Sequence, residues 1–278
     1  MNNSKTWMVS AACVLVAGCA AEGSSTTDST LSAEAEIQGG SVDTGNPAVG
    51  LLWIESTDRR GNVYPAFCTG TLIAPTVVLT AAHCTTPTET DASLGKMSNK
   101  VVGFYLGAGT ARTDATFDSI PDSSTFTKYA VSAQATMTGY NIDTAACPSA
   151  VPDIGLVRLS QAVTTVAPVA YATTASQLPA TSASCTASGY GTHGTGRSVT
   201  YGQKRTATEK IVGKSTSAIQ VTYGTGMTDQ GDSGGPLLCG GVIVGTTSCG
   251  SQAARQVFYG RLDGTAASFI SKTLSAWK

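Results

Sequence analysis

Three side chains in this sequence have the types and the order needed to build an oxygen nucleophile. Ser233 lies in Gly231-Asp232-Ser233-Gly234-Gly235-Pro236, a glycine-rich turn between two apolar runs. Glycines there let backbone N–H groups converge beside the hydroxyl, where bulkier residues would hold them away. A serine hydroxyl is a weak nucleophile at neutral pH and needs a base within hydrogen-bond reach. The chain has 2 histidines. His193, in Gly191-Thr192-His193-Gly194, reads as part of a flexible, solvent-exposed loop. His83 ends the apolar run Val77-Val78-Leu79-Thr80-Ala81-Ala82 and is the candidate base. Asp153 precedes Ile154-Gly155-Leu156-Val157, a run that would bury its carboxylate and oblige it to find partners. Taken singly, each has an ordinary alternative: a Gly-Ser surface loop, a structural histidine at a strand end, a turn aspartate after Val151-Pro152.

The elements that would position these groups read as β-structure. At 278 residues and 41% hydrophobic composition the chain can bury a large core, as one β-rich unit or two packed halves. Its 31 glycines and abundant Ser and Thr suit short strands joined by tight turns. Pro47 to Ile54 reads as a first buried strand. Cys68 to His83 reads as a hairpin turning at Pro75, which delivers His83 at a strand end. Strands are expected to continue from Val163 to Ala172. Asp263 or Thr265 can cap a terminal helix carrying Phe269, Ile270, Leu274 and Trp277 near one face. A net charge of −1 with 13% charged residues and no Lys/Arg cluster argues against nucleic-acid binding. His83 beside Cys84 lacks the paired spacing of a metal site, so no metal is expected.

The N-terminus has a different character. Lys5 precedes an apolar run from Trp7 to Ala17, too short for a permanent membrane span and laid out as a secretory signal peptide. Its end, Val16-Ala17-Gly18-Cys19, resembles the bacterial lipoprotein box. That implies a signal peptide over residues 1–18 and acylation of Cys19, against an ordinary signal peptide cut nearby with Cys19 incidental. Residues 19–36 then form a tether or propeptide, with Leu31 as the only large apolar side chain. The resemblance places the protein at the cell envelope, outer membrane included.

Leu79-Thr80-Ala81-Ala82-His83-Cys84, Asp153 to Leu159 and Gly231 to Pro236 resemble, in that order, the histidine, aspartate and serine motifs of the trypsin-like (chymotrypsin-fold) serine proteases. Ile37-Gln38-Gly39-Gly40 resembles the start of their folded domain, so the resemblance covers residues 37–278. It implies an all-β fold: two packed six-stranded antiparallel Greek-key β-barrels with a C-terminal helix. It also implies peptide-bond hydrolysis by a monomer without a cofactor. Ser233 would attack, His83 would move the proton, Asp153 would orient the imidazole, and the N–H groups of Gly231 and Ser233 would hold the oxyanion. Asp232 would pair with the new amine of Ile37 after a cut by an activating protease. Glu36 before that cut makes a tryptic activator a poor fit. A catalytically silent peptide-binding module on the same fold is the other reading.

The cysteines and the substrate cleft depart from the pattern. Of 8 cysteines, Cys13 and Cys19 fall in the export segment, which leaves six in an exported protein. Family positions imply the bridges Cys68–Cys84 and Cys185–Cys239. Cys249 stands where the family has Trp on a cleft wall; a third bridge to Cys147 is expected, with two free thiols as the alternative. Ser248 and Gly250 correspond to residues that pair with the substrate backbone. Met227, Thr228, Gly250 and Gln256 correspond to the specificity pocket. A thioether at its floor points to an apolar, non-tryptic preference, while Asp229 leaves a rebuilt tryptic pocket open. The surplus between His83 and Asp153, rich in Ser, Thr and Asp from Thr113 to Thr127, reads as surface insertion.

Overall fold

The computed structural model describes residues 37, 39–107, 126–193 and 201–278, all within the unit Ala33–Lys278. The export segment, Cys19, the tether, Gln38 and most of the Thr113 to Thr127 stretch lie outside the described residues. In chain order the strands are β1 (Ser41–Val42), β2 (Val49–Thr57), β3 (Val63–Ala74), β4 (Val77–Thr80), β5 (Thr88–Asp91), β6 (Gly95–Gly107), β7 (Phe126–Thr136), β8 (Gly155–Leu159), β9 (Ser184–Gly189), β10 (Arg205–Lys214), β11 (Ala218–Tyr223), β12 (Pro236–Cys239), β13 (Val242–Ser251) and β14 (Gln256–Arg261). Among the described residues two α-helices, α1 (Ala82–Thr85) and α2 (Thr265–Ala276), and one 3-10 turn, Ala175–Gln177, accompany the strands.

The strands close into two antiparallel barrels. The first runs β2-β3-β4-β8-β7-β6 and is shut by pairing of β6 with β2, with β5 added beside β6. The second runs β10-β11-β14-β13-β12-β9 and is shut by β9 against β10, with β1 added beside β10. Closure leaves each six-stranded ring without an open edge. Leu52, Leu72, Val78, Phe104 and Val157 fill the first barrel. Ala187, Ile211, Val221, Leu237, Val244 and Tyr259 fill the second. Leu79 and Leu156 of the first barrel pack with Ile243 and Leu262 of the second. Each such side chain contributes about 1.5–3 kcal/mol of burial, so the barrels are held against one another by their cores.

Ile270 of α2 is buried in that junction, and Phe269, Leu274 and Trp277 pack around it, the face expected from their spacing. The start of α2 differs from expectation. Gly264, at φ 63°, takes the N-cap position and no side chain caps the helix. Asp263 is turned away to an ion pair with Arg261. Between Val163 and Ala172 no strand forms either; Tyr171 makes an isolated bridge to Ile243. All three disulfides are present: Cys68–Cys84, Cys185–Cys239 and Cys147–Cys249. Such bonds suit an exported protein.

Candidate active site

Strand pairing brings His83 and Asp153 together. β4 ends one residue before Ala81, and β8 begins two residues after Asp153. The antiparallel register sets Thr80 opposite Gly155, so both side chains emerge at the same barrel end. His83 Nδ1 lies 2.8 Å from Asp153 Oδ2, and the His83 backbone N–H donates to Oδ1 at 3.0 Å. The Ser248 hydroxyl donates to Oδ2 at 2.6 Å. Thr246 Oγ1 donates to the Asp153 carbonyl at 2.9 Å. Burial alone would raise the Asp153 carboxyl, but the His83 ring, the Ser248 hydroxyl and the His83 N–H outweigh it and hold it below its usual range. Burial likewise pulls His83 down, and the Asp153 charge reverses that to a net upward shift. The ring therefore has a fixed Nδ1 partner and a raised basicity.

The Ser233 turn belongs to the second barrel yet is fastened to the first. Thr69 on β3 donates its N–H to the Ser233 carbonyl at 2.8 Å and its hydroxyl to the Gly231 carbonyl at 2.9 Å. Gly234 sits at φ +80°, and a Cβ there would overlap Thr80 Oγ1 and the Thr69 carbonyl. This close approach lays the turn against the segment that leads into His83. Gly231 sits at φ +88°, where a Cβ would overlap the Phe67 ring. Both positions admit only glycine without displacement. Asp232, Gly234 and Gly235 donate their N–H groups to Asp229, Thr247 and Asp232 carbonyls. Among the described residues no internal acceptor is recorded for the N–H groups of Gly231 and Ser233.

Asp232 is fully buried. Its carboxylate accepts the Gly191 N–H at 2.8 Å and the Asp229 N–H at 2.9 Å, and burial pushes it up to about 7. Ile37 is also buried, at 1% exposure, and its carbonyl accepts the Gly40 N–H at 2.7 Å. Arg205 donates to the Gly40 carbonyl at 2.7 Å, tying that segment to β10. The Cys68, His83 and Cys84 ligand atoms gather within 4.8 Å. The disulfide removes the two thiolates that a metal would need.

Beside Ser233 opens a cavity of about 240 Å³, walled by Thr228, Asp229, Ser248, Gly250, Gln252 and Val257 among others. Thr228 and Gly250 are where the sequence led. Met227 and Gln256 are not: Met227 is 1% exposed within the second barrel's core, and Gln256 faces solvent. Neighbours in an extended chain point to opposite sides, so Thr228 lines the cavity while Met227 does not, and Val257 lines it in place of Gln256. Cys249, bridged to Cys147, is part of the wall. His193 is a further correction. It is 5% exposed, with Nδ1 at 3.4 Å from the Gly191 carbonyl. Thr69 and Gln252 carried no motif; only their nearness to Cys68 and Gly250 could have marked them.

The comparisons agree with this architecture. The family model described as Trypsin matches residues 37–268. Trypsin delta of Drosophila melanogaster is 30% identical over 232 residues, spanning 78% of this chain and 79% of that protein. Trypsin alpha-3 of Lucilia cuprina is 38% identical over 127 residues, 40% of this chain and 73% of that protein. Among solved structures, neuropsin, a serine protease expressed in the limbic system of mouse brain, superposes with TM-score 0.57 at 22% identity. That match covers 84% of this chain and 98% of the other, and it speaks to the fold. Two closed barrels, a glycine-dependent serine turn clamped between them and a family match over residues 37–268 lead to one conclusion: the chain belongs to the trypsin family of serine-type endopeptidases.

Proposed function

We propose that the chain hydrolyses peptide bonds through an acyl-enzyme formed on Ser233. His83 Nε2 takes the hydroxyl proton and returns it to the leaving amine; water then attacks with His83 as base again. Asp153 holds the imidazole in the tautomer that leaves Nε2 unprotonated. The observation that carries this reading is the 2.8 Å His83 Nδ1 to Asp153 Oδ2 contact, at the barrel end against which the Ser233 turn is packed. The N–H groups of Gly231 and Ser233 are the candidate oxyanion donors, each worth roughly 3–4 kcal/mol in the transition state. The substrate backbone would pair along Ser248 to Gly250.

A fluorophosphonate probe is expected to label Ser233 in the processed chain and to fail on His83→Ala. A folded, processed wild-type sample that never labels would favour a silent peptide-binding module. The buried Asp232 carboxylate and the buried Ile37 support activation by a cut between Glu36 and Ile37, after which the new amine would pair with Asp232. Residues 1–18 would be a lipoprotein signal peptide and 19–36 an acylated tether at Cys19. The cysteines from Cys68 onward are all bridged to one another, so the same cut would release the protease from its lipid. Fractionation should find protein starting at Ile37 in the soluble phase; active enzyme with that N-terminus on membranes would contradict release.

A further inference from the structure

Of the three disulfides, one joins the two barrels. Cys68–Cys84 lies within the first, between β3 and α1, and Cys185–Cys239 lies within the second, between β9 and β12. Cys147–Cys249 runs from the segment before Asp153 to β13 and closes a span of 102 residues. Its accessibility differs as well. Cys68, Cys84 and Cys185 are buried, whereas Cys147 is exposed and Cys249 half-buried. Cys239 is also half-buried, but β12 pairs with β9 beside it, which would hold those two sulfurs together after any cleavage. Nothing comparable holds Cys147. The stretch from Met137 to Ile154 forms neither helix nor strand. Its nearest recorded bonds to other elements fall on either side: the Thr90 N–H donates to Asp143 at 2.7 Å, and the Ser217 hydroxyl to the Ser149 carbonyl at 2.6 Å. Cys249 in turn lines the cavity beside Ser233, next to a register shift in the pairing of β13 with β14. β12 stops pairing with β13 at Thr246, so the bridge and the Ser248 hydroxyl on Asp153 tie this end of β13 to the first barrel.

From this arrangement we infer that Cys147–Cys249 is a thiol–disulfide exchange site, through which a dithiol reductant reversibly loosens the strand edge that receives the substrate backbone. The inference rests on the Ser233 reading above, which makes Ser248 to Gly250 that edge. Exposed disulfides are the labile ones, because exchange needs access of a thiolate to one sulfur. A thiolate of the reductant attacks the exposed Cys147 Sγ, a mixed disulfide forms, and Cys249 leaves as the thiolate. The second thiol of the reductant then displaces Cys147. The reductant ends as a disulfide and the enzyme as two thiols, with two protons passed from the one to the other. The barrels stay docked, since Leu79, Leu156, Ile243 and Leu262 still pack at their junction. Asp153 also keeps both of its His83 bonds. Opening the bridge therefore frees a wall of the cleft and leaves the reacting groups in place. An extended peptide, which needs the wall, feels the change; an ester that engages Ser233 alone does not.

Thiol mapping and kinetics test this separately. Processed protein would be titrated with dithiothreitol, alkylated in the native state with iodoacetamide and mapped. Cys147 and Cys249 are expected to alkylate together, before any of the other four bridged cysteines. Over the same titration, kcat/KM for a peptide with four residues before the scissile bond should fall about tenfold, the equivalent of one or two backbone hydrogen bonds. Turnover of a single-residue acyl ester should hold, and oxidised glutathione should restore the peptide rate. Cys147→Ser should match the reduced enzyme and ignore dithiothreitol. Earlier opening of another bridge would overturn the inference, as would loss of this one with peptide and ester rates in their original ratio. The mapping needs no variant, so it decides even where Cys147→Ser fails to fold. It also needs no nucleophile: on Ser233→Ala protein, anisotropy of a labelled extended peptide should show weaker binding after reduction. That result stands whether or not Ser233 labels, and unchanged binding would leave the Ser233 reading intact while removing the switch.

Discussion

Asp153→Asn is expected to lower kcat by about 10⁴-fold while the protein stays folded. The asparagine amide matches the carboxylate in size but can set an N–H₂ donor where His83 Nδ1–H now donates. The imidazole would then adopt the opposite tautomer, with its proton on Nε2 facing Ser233, and could not accept the hydroxyl proton. Asp153 is 3% exposed and takes donors from the His83 ring, the His83 backbone and the Ser248 hydroxyl, so little else can reorganise to compensate. The pH profile is a second readout. Because Asp153 lifts His83 above its ordinary 6.5 against the opposing effect of burial, the acid limb of kcat/KM in the wild type should fall above that value. In Asp153→Asn the limb should move down. A limb that does not move would remove Asp153 from this role. Stability follows the same pair with opposite signs. The raised His83 contributes below about 6.5 and loses its contribution as pH climbs through its folded value. The depressed Asp153 contributes above its ordinary 3.8 and loses that as pH falls.

Asp232 is expected to make the uncut chain lose stability on going from acid to neutral pH, and the processed chain to lose much less. In the uncut chain burial raises Asp232 from 3.8 to about 7. A carboxyl raised on folding binds its proton in the native state after the unfolded chain has released it. Native stability therefore declines across that window, by up to about 4 kcal/mol at 1.36 kcal/mol per unit. A new Ile37 amine beside Asp232 would favour the charged form and cancel most of the decline. Urea midpoints of uncut and cut Ser233→Ala protein, taken at intervals across the window, measure the difference. Glu209, also raised to about 7 by burial, titrates in the same window under the influence of the Asp232 charge, so the difference between the two forms reports the coupled pair. Parallel curves for the two forms would dispose of the Ile37–Asp232 pair. Asp232→Ala in the processed chain should cut kcat/KM by roughly two to three orders of magnitude. That corresponds to about 3–5 kcal/mol for a buried pair broken on one side. The disulfides and the His83–Asp153 contact lie outside Asp232's own bonds, so the fold should persist while Ser233 labels slowly.

Much of the site was legible because its requirements are local. A turn that must bring N–H groups beside a hydroxyl needs glycine at Gly231 and Gly234, and both adopt the positive φ that such a turn demands. An apolar strand shortly before His83 and another that follows Asp153 announce themselves by composition, although the strand stops at Thr80 and His83 itself lies on α1; antiparallel pairing then needs only the right register. The buried face of α2 follows from helical spacing in the same way.

What the sequence left undecided depends on contacts between distant residues or on a choice between neighbours. Whether Met227 or Thr228 faces the cavity, and Gln256 or Val257, is a matter of one step in an extended chain, and one step reverses the side chain. Strand pairing decided it, sending Met227 into the core and Gln256 to solvent. Burial of His193 could not be read from the glycines around it. The fold closes over that segment, and Asp232 bonds to Gly191 across 41 residues. The Thr69 clamp on Gly231 spans 162 residues and the Ser248 bond to Asp153 spans 95. Residue types and order determined the family and the candidate reacting groups, since the motifs rest on short-range geometry. The residues that line the cavity and the partners of the Asp153 carboxylate were decided only when two barrels closed and met.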